Sequence, residues 1–285
     1  MGASDPMIPE LCSPASSRIC VNCGVVYLPT IQPLASCPIC DDERVTRPKA
    51  QAWTTTRELA ATHTCEIREC ESGLASIGVT PAFAIGQRAL LVEQSDGCIL
   101  WDCISLVDRA AIDYINARGG LKAIAISHPH FYGCMAEWSA AFGGAPVYLH
   151  EADREWVPHV PPDIVFWNGD TREIAPGVTL VRAGGHFEGG SVMHVAQAAS
   201  GRGALLTGDV VMVTQYGSGV SFMRSYPTFV PLRAAQVRHI QSILEPFAFD
   251  AIYGAWWDRV IDLDGATIVA RTAQQYLEIL TRKDS

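Results

Sequence analysis

Three histidines and one aspartate in this sequence have the spacing of a metal centre. His128 and His130 are two positions apart and directly follow the apolar, β-prone run 121–126. At the end of a strand, this spacing lets both imidazoles converge on one ion. His186 and Asp209 each follow a later strand-like segment. Together these four side chains predict an open metal centre of the kind that performs hydrolysis.

A second set of metal-binding side chains lies near the N-terminus, in two Cys-x-x-Cys pairs formed by Cys20, Cys23, Cys37 and Cys40. The pairs are separated by the 13 residues 24–36. Each pair turns two thiolates to one side, and four thiolates complete the closed tetrahedron of a structural zinc site. We therefore predict a zinc ribbon over residues 18–50. Acidic side chains balance its basic ones, so the ribbon is not expected to bind nucleic acid.

Composition limits the class of protein. The chain has 285 residues, of which 48% are hydrophobic and 18% charged, as in a globular protein with one large and one small domain. A net charge of −9 argues against a nucleic-acid partner and favours a small-molecule substrate. No apolar run approaches the roughly 20 residues that span a bilayer, so no membrane association is expected. A homo-oligomer is compatible with this composition.

The organisation along the chain follows from these features. Residues 1–17 predict a flexible lead-in, 18–50 the ribbon, and 51–285 the domain that carries the histidines. The first residues do not have the pattern of a signal peptide, and Cys-x-x-Cys pairs suit a reducing setting, so a cytoplasmic location is expected.

Secondary-structure patterns point to layered α/β packing. Segments 83–92 and 98–102, joined by a Gly-containing loop, predict an antiparallel hairpin. Apolar residues recur at helical spacing in five segments, which predicts helices over 108–118, 133–142, 151–157, 231–245 and 265–281.

Over roughly residues 80–262, the order of these motifs resembles the metallo-β-lactamase superfamily. The resemblance rests on a hairpin ending at Trp101-Asp102, on His128-x-His130 after a strand, on Gly185-His186, and on Thr207-Gly208-Asp209. It implies an α/β fold, namely a four-layer αβ/βα metallo-β-lactamase sandwich with a small N-terminal zinc ribbon. The metals of that family lie at one edge between the two sheets.

Several positions depart from the family pattern. Tyr132 and Gly133 stand where the family has an Asp and a further His, and the family's final His is absent from the segment 254–257. All three missing groups serve the second metal position. The resemblance therefore implies a mononuclear centre held by His128, His130 and His186, with Asp209 as fourth ligand or as a partner of the ligands. A second site rebuilt from Cys134, Glu137 or Asp258 stays open at this point.

The implied activity is hydrolysis of a small ester or amide carbonyl by a zinc-bound hydroxide. Asp209 and Tyr132 are the candidate catalytic groups. A flat apolar pocket for a cyclic or aromatic substrate, such as a lactone, a lactam or a cyclic carbamate, is expected from the four aromatic residues Trp256, Trp257, Phe222 and Tyr226.

Two alternatives belong to other classes. Two histidines and a carboxylate with open positions also suit iron, as in a mononuclear non-haem oxygenase acting on a thiol persulfide. The second alternative is a catalytically inert scaffold that recruits a partner through the ribbon. The expected cofactors are one catalytic and one structural zinc, with iron as the alternative at the catalytic site.

Overall fold

The computed structural model of the protein describes residues 17–28, 34–45, 50–158 and 163–282. The expected lead-in over 1–17 lies outside these ranges except for Ser17. No helix within the described ranges is long and apolar enough to cross a membrane.

The N-terminal part forms a small three-stranded antiparallel sheet around the four cysteines. Its strands, in the spatial order β2-β1-β3, are β1 (Arg18–Cys20), β2 (Val26–Tyr27) and β3 (Trp53–Thr54). Ile19 pairs with both Val26 and Thr54. The ribbon sheet therefore extends beyond residue 50, where the sequence suggested a boundary.

A seven-stranded mixed sheet follows, in which the strands are arranged in the order β10-β9-β8-β7-β6-β5-β4. Its strands are β4 (Thr64–Glu71), β5 (Leu74–Thr80), β6 (Arg88–Gln94), β7 (Gly97–Trp101), β8 (Leu121–Ala125), β9 (Val147–His150) and β10 (Ile164–Trp167). The antiparallel pairing of β6 with β7 confirms the predicted hairpin, although β6 begins at Arg88 rather than at residue 83.

A six-stranded sheet forms the second half, in the order β11-β12-β13-β14-β19-β20. Its first four strands are β11 (Thr171–Ala175), β12 (Val178–Arg182), β13 (Ser191–Val195) and β14 (Ala204–Gly208). Two short pairs intervene, namely β15 (Met212–Val213) with β16 (Val220–Ser221), and β17 (Met223–Ser225) with β18 (Val230–Pro231). The sheet is completed by β19 (Ala251–Gly254) and β20 (Val260–Ile261).

Within the described residues, six helical segments and two 3-10 turns connect the strands, and the short segment 198–201 has left-handed φ angles at Ala199 and Ser200. The helices are α1 (Thr56–Ala60), α2 (Arg109–Asn116), α3 (Met135–Ala141), α4 (Ala198–Gly201), α5 (Ala234–Leu244) and α6 (Gly265–Thr281). The 3-10 turns are Pro129–Phe131 and Glu151–Trp156. Four of the five predicted helices are α-helical, and the fifth, over 151–157, is the second 3-10 turn.

The layers follow from strand alternation, because successive side chains of a strand point to opposite faces. Leu90 of β6 and Leu206 of β14 belong to the core between the two sheets. Leu91 faces the outer core, which it shares with the ribbon and helices α2 and α3. Leu205 faces helix α5 on the opposite side. This arrangement is the predicted four-layer αβ/βα sandwich, with the ribbon joined to one outer layer.

Candidate metal centre

The predicted ligands come together where strands of the two sheets end side by side. His128 follows β8, His186 follows β12 and Asp209 follows β14. The two sheets meet here, because the amide of Ser191 donates to the carbonyl oxygen of Ser127 at 2.9 Å. Gly208 lies close to Ser127, and a Cβ at this glycine would stand 2.7 Å from the Ser127 hydroxyl oxygen.

The ligand atoms have separations that suit one metal ion. Nε2 of His128 lies 3.0 Å from Oδ1 of Asp209, and Nε2 of His186 lies 3.8 Å from the same oxygen. Nε2 of His186 also lies 3.3 Å from Nδ1 of His130, and one ligand atom from each of the four residues lies within 4.8 Å of the others. Tetrahedral donors at zinc–ligand distances of about 2.0–2.2 Å would stand about 3.3–3.6 Å apart.

Neighbouring groups orient these imidazoles. Nδ1 of His186 donates to the carbonyl oxygen of Met223 at 3.0 Å, which leaves Nε2 free to bind a metal. Nδ1 of His128 exchanges a hydrogen bond with the Ser127 hydroxyl at 2.9 Å, so its Nε2 is likewise directed at Asp209. Nε2 of His128 and Oδ1 of Asp209 are buried and face each other at 3.0 Å, and neither makes a well-aligned hydrogen bond with any described residue. Two buried ligand atoms that face each other without a well-aligned hydrogen bond fit a metal site.

The electrostatics also favour a cation. Burial lowers the pKa of His186 to about 4 and lowers the pKa of His130 well below its usual range, so both imidazoles are neutral at pH 7. Burial alone would raise the pKa of Asp209, but the nearby His128 and His186 lower it below its usual range. A neutral imidazole and an ionised carboxylate are the forms that bind metals.

Asp102 supports the loop that carries the histidines. Its Oδ1 accepts a hydrogen bond from the amide of Ser127 at 2.7 Å, and its backbone has a left-handed φ of 63°. Burial raises the pKa of this carboxyl to about 7. Asp102 therefore orients the loop that follows β8 and carries the first two histidines.

The positions that depart from the family pattern are filled by other contacts. Gly133 has φ +49°, and a Cβ there would meet the Ile104 carbonyl oxygen at 2.5 Å. Its own carbonyl oxygen accepts a hydrogen bond from the amide of Val26 in the ribbon, at 3.1 Å. A histidine at this position has no room, because the backbone of Cys103 and Ile104 approaches too closely. Cys134 and Glu137 do not join the His–Asp cluster, and neither does Asp258.

Tyr132 is engaged elsewhere. Its hydroxyl donates to the carbonyl oxygen of Asp153 at 3.4 Å, and its side chain is buried. Burial also raises the pKa of the phenol well above its usual range. Tyr132 thus has a packing position, with its hydroxyl committed to Asp153 rather than to a ligand atom.

The four predicted substrate-binding aromatics separate into two groups. Tyr226 lies at the centre: its ring is 5.6 Å from that of His186, and its hydroxyl donates to the Asp209 carbonyl oxygen at 2.8 Å. Trp256 packs 6.2 Å from the Phe131 ring, which in turn is 4.6 Å from His128.

The other two aromatics do not reach the centre, which corrects the sequence interpretation. Phe222 is fully buried in the core beneath α5 and α6, where its ring contacts Tyr276 at 5.7 Å. Trp257 lies across β5, where a Cβ at Gly78 would come within 2.5 Å of its ring, and the Arg68 guanidinium stacks on it at 4.1 Å. The presence of aromatic residues in the sequence did not distinguish those that pack in the core from those that line a pocket.

The cysteine cluster is compact and closed. Sγ of Cys20 lies 3.7 Å from Sγ of Cys40, and Sγ of Cys23 lies 3.6 Å from Sγ of Cys37. Four sulfurs about 2.3 Å from a zinc ion would lie about 3.8 Å apart. All four cysteines are free thiols and buried. The spacing fits a structural zinc, as the Cys-x-x-Cys pairs predicted.

Hydrogen bonds to the sulfurs complete this site. The Asn22 side-chain amide donates to Cys40 at 3.3 Å, and that of Gln51 donates to Cys20 at 3.3 Å. The Tyr27 hydroxyl lies 3.2 Å from the sulfur of Cys37. Such contacts are typical around metal-bound thiolates, whose charge they stabilise.

Three further groups at the His–Asp cluster were not predicted from the sequence. The Ser127 hydroxyl and the Met223 carbonyl orient histidines, and the Arg44 guanidinium stacks on the ring of Phe187 at 4.0 Å. A serine next to a ligand histidine was a usable signal for the first. A backbone carbonyl and an arginine from a separate module leave no trace in the local pattern.

Comparison with known proteins identifies a relative of this chain. The chain is 42% identical to YmaE, an uncharacterised protein of Bacillus subtilis (strain 168), over 265 residues that make up 92% of this chain and 96% of YmaE. No protein-family model matches the sequence.

Solved structures of low sequence identity share the fold. The metallo-β-lactamase DIM-1 superposes with a TM-score of 0.56 at 13% identity, over 74% of this chain and 98% of its own. FIM-1 of Pseudomonas aeruginosa, a metallo-β-lactamase in its mono-zinc form, has a TM-score of 0.56 at 13% identity, over 75% of this chain and 96% of its own. A metallo-β-lactamase of Erythrobacter litoralis has a TM-score of 0.54 at 14% identity, over 74% of this chain and 96% of its own. The chain therefore belongs to the same protein family as YmaE and has the metallo-β-lactamase fold.

Proposed function

We propose that this protein is a metal-dependent hydrolase that opens a small ester or amide substrate, such as a lactone, a lactam or a cyclic carbamate. The observation that carries the proposal is the group of ligand atoms from His128, His130, His186 and Asp209, all within 4.8 Å of one another at the edge between the sheets. The metallo-β-lactamase names of the structural neighbours support the same reaction class.

The reaction adds water across the carbonyl–heteroatom bond and releases an acid with an alcohol or an amine. Bound at these residues, zinc would lower the pKa of a water molecule to around 7 and polarise the carbonyl. Asp209 supplies negative charge to the centre and, in our proposal, also orients the attacking water. The Met223 carbonyl and the Ser127 hydroxyl keep the histidines in the tautomers that bind metal.

A mononuclear centre accounts best for the residues present. The family's second-site positions hold Tyr132, whose hydroxyl contacts Asp153, and Gly133, where the backbone leaves no room for a side chain. One metallo-β-lactamase neighbour is a mono-zinc form, so one zinc is compatible with this fold. The four-cysteine cluster of the ribbon is proposed to hold a second, structural zinc.

Aromatic side chains surround the centre and favour a flat or cyclic substrate. Phe187 is fully buried and supports the ring of His130 from behind at 4.9 Å, whereas the half-buried Tyr226 approaches His186 at 5.6 Å. Tyr226 is therefore the aromatic residue that we propose to contact the substrate. Trp256 remains a candidate through its contact with Phe131.

The test is hydrolysis by the purified chain under metal control. Three substrates of different bond type are assayed: γ-butyrolactone, a chromogenic cephalosporin and 4-nitrophenyl acetate. We expect turnover of at least one of them, a loss of at least about a hundredfold after dipicolinate treatment, and recovery on addition of Zn²⁺.

Two results would contradict the proposal. One is the absence of turnover on all three substrates in a protein shown by elemental analysis to carry the metal. The other is activity that survives chelation. Recovery with Fe²⁺ but not with Zn²⁺, together with oxygen uptake on a thiol persulfide, would instead favour the oxygenase alternative.

A further inference from the structure

A polar cluster outside both proposed metal sites links the edge strand β4 to its two neighbours. Its members are Cys70 of β4, Ser76 of β5 and Arg88 of β6. The sulfur of Cys70 lies 2.7 Å from the hydroxyl oxygen of Ser76, and Nη1 of Arg88 donates to the same oxygen at 3.2 Å. One hydroxyl therefore connects a thiol to a cation.

Cys70 occupies a β-bulge. Glu69 pairs with Ala75 and Glu71 pairs with Leu74, so Cys70 is the extra residue between them. A bulge turns a side chain out of the regular alternation of a strand. The side chain of Cys70 is half-buried and packs against the core between the two sheets. Its thiol is thus held in a defined position while the residue keeps contact with solvent.

The guanidinium of Arg88 is buried and has a donor without an acceptor. The residue is 3% exposed, and its Nη2 has no hydrogen-bond partner among the described residues. Burial lowers the pKa of Arg88, but an arginine keeps its charge at physiological pH. A buried donor without an acceptor is costly. We therefore expect this donor to meet an acceptor in another chemical state of the cluster.

Backbone contacts hold Arg88 in place. Its Nε donates to the carbonyl oxygen of Gly254 at 3.1 Å, and its amide donates to that of Ala255 at 2.7 Å. The ring centroid of Trp257 lies 5.8 Å from the guanidinium carbon. The cation is therefore fixed beside Ser76, because a turn toward solvent would break the hydrogen bond of Nε.

Two carboxylates near the cluster have partners of their own. Glu71 accepts the amide of Ala199 at 3.0 Å and the hydroxyl of Tyr253 at 3.1 Å. Oδ2 of Asp258 lies 3.6 Å from Nη1 of Arg259. Neither carboxylate supplies the missing acceptor, so the positive charge of the guanidinium continues to act on the thiol beside it.

Cys65 lies five positions earlier on the same strand and has the opposite surroundings. It is also half-buried, but its sulfur donates to the carbonyl oxygen of Leu106 at 3.6 Å, and its amide donates to the carboxylate of Asp108 at 2.7 Å. Burial raises the pKa of the Cys65 thiol well above its usual range, and the charge of Asp108 raises it further. Such a thiol stays protonated and unreactive, because the thiolate is the nucleophile.

We infer that Cys70 is a modification site at which a hydroperoxide oxidises the thiol to a sulfenic acid. The Ser76 hydroxyl accepts from Arg88 and can donate its own proton to the sulfur, which stabilises the attacking thiolate. With hydrogen peroxide, an S–O bond forms and the O–O bond breaks. The sulfur loses two electrons, and the leaving hydroxide takes a proton to become water. The sulfenic oxygen is then the acceptor that Nη2 of Arg88 lacks.

The experiment measures the reaction rate at each cysteine in the zinc-loaded wild-type protein. One sample is treated with iodoacetamide, and another with hydrogen peroxide and dimedone, which traps sulfenic acids. Peptide mass spectrometry then quantifies the modified residues. We expect alkylation of Cys70 to be at least about tenfold faster than that of Cys65, because only the surroundings of Cys70 favour the thiolate. A dimedone adduct is expected at Cys70 and not at Cys65.

Variants identify the groups responsible. Ser76→Ala removes the connecting hydroxyl and should bring the rate at Cys70 to within about threefold of the rate at Cys65. Arg88→Lys keeps the charge without the planar fork and should give an intermediate rate. Arg109→Gln removes a positive charge at an exposed position on α2 and is the control that should keep the full difference. Unchanged circular dichroism would show that each variant is folded.

Two results would overturn the inference. One is a wild-type protein in which Cys70 reacts no faster than Cys65 or forms no dimedone adduct. The other is a rate difference that survives in Ser76→Ala, since solvent access rather than the cluster would then explain it. The wild-type comparison alone decides the matter if the variants do not fold. Neither result bears on the hydrolase proposal, which depends on the His–Asp cluster.

Discussion

The amide of Val26 donates a hydrogen bond to the carbonyl oxygen of Gly133 at 3.1 Å. This contact joins the ribbon to the loop position at which the metallo-β-lactamase pattern has a further histidine. The same glycine has φ +49°, and a Cβ on it would meet the Ile104 carbonyl oxygen at 2.5 Å. The backbone of Gly133 is thus held by the ribbon on one side and closely approached by Ile104 on the other.

Substitution of Gly133 tests this close approach. Gly133→Ala should lower the free energy of unfolding by more than about 3 kcal/mol, because it adds a backbone clash to the cost of a left-handed φ. Gly73→Ala is the matched control: Gly73 has φ +80°, and a Cβ added there would meet no atom within 4 Å, so only the conformational cost of about 1–2 kcal/mol should appear. Equal losses in urea denaturation of the two variants would refute the steric argument.

Replacement of one ligand histidine should remove one metal. In His186→Ala the centre loses an imidazole that lies 3.3 Å from His130 and 3.8 Å from Asp209. We expect elemental analysis to give about one metal per chain instead of two, since a buried site with two histidines and one carboxylate binds zinc far more weakly. His239→Ala, at an exposed histidine on α5, should retain both metals. Two metals in both variants would exclude His186 as a ligand.

The site was more predictable from sequence than the surface around it. His128, His130, His186 and Asp209 could be identified because each follows a strand, and strand ends of a layered α/β fold meet at one edge. The hairpin β4–β5, by contrast, was not identified and lies at the edge of the seven-stranded sheet. Its partly exposed strand β4 carries a run of polar and charged side chains. These side chains obscure the alternation of apolar and polar residues that marks a strand.

Contacts between distant segments account for the remaining errors. Nothing near Phe222 in the sequence reveals that α6 covers it, since its partner Tyr276 is more than fifty positions away. Likewise, the stacking of Arg44 on Phe187 depends on how the ribbon docks. Local patterns report the type of an element, whereas pocket lining is decided by tertiary packing.

The cysteine cluster should hold a metal independently of the His–Asp centre. Cys23→Ser removes one of four thiolates and should abolish zinc binding at the ribbon, because structural zinc sites depend on a complete set of ligands. Elemental analysis is expected to show one metal lost and one retained. Cys70→Ser, at a cysteine that contacts Ser76 and lies outside the cluster, should change nothing. Retention of both metals in Cys23→Ser would argue against a zinc ribbon.

Truncation of Phe222 separates a core role from a substrate-binding role. The side chain is fully buried, so Phe222→Ala should lower the free energy of unfolding by about 3–5 kcal/mol through lost burial and a cavity. Tyr216→Ala, at a side chain that is 87% exposed, should change it by less than about 0.5 kcal/mol. Unchanged stability with weakened substrate binding in Phe222→Ala would restore the original interpretation of this residue as part of the pocket.

A buried carboxyl on α3 should make stability depend on pH. Glu137 is 3% exposed, and burial raises its pKa to about 7 from a usual value of 4.5. A folded-state pKa above the unfolded one gives stability that is complete below about pH 4.5 and is lost as the pH rises through about 7. Glu137→Gln removes this titration. Between pH 5 and 8 the wild type should therefore lose about 2–3 kcal/mol of unfolding free energy relative to the variant.

Chemical denaturation at pH 5, 6, 7 and 8 measures this difference, with Glu155→Gln, at an exposed glutamate, as the control that should follow the wild type. A parallel pH dependence in Glu137→Gln and the wild type would mean that Glu137 titrates normally in the folded protein. The sign of this change in unfolding free energy is as informative as its size. A wild type that gains stability relative to Glu137→Gln between pH 5 and 8 would require an ionised Glu137 held by a cation, which is the opposite of desolvation by burial.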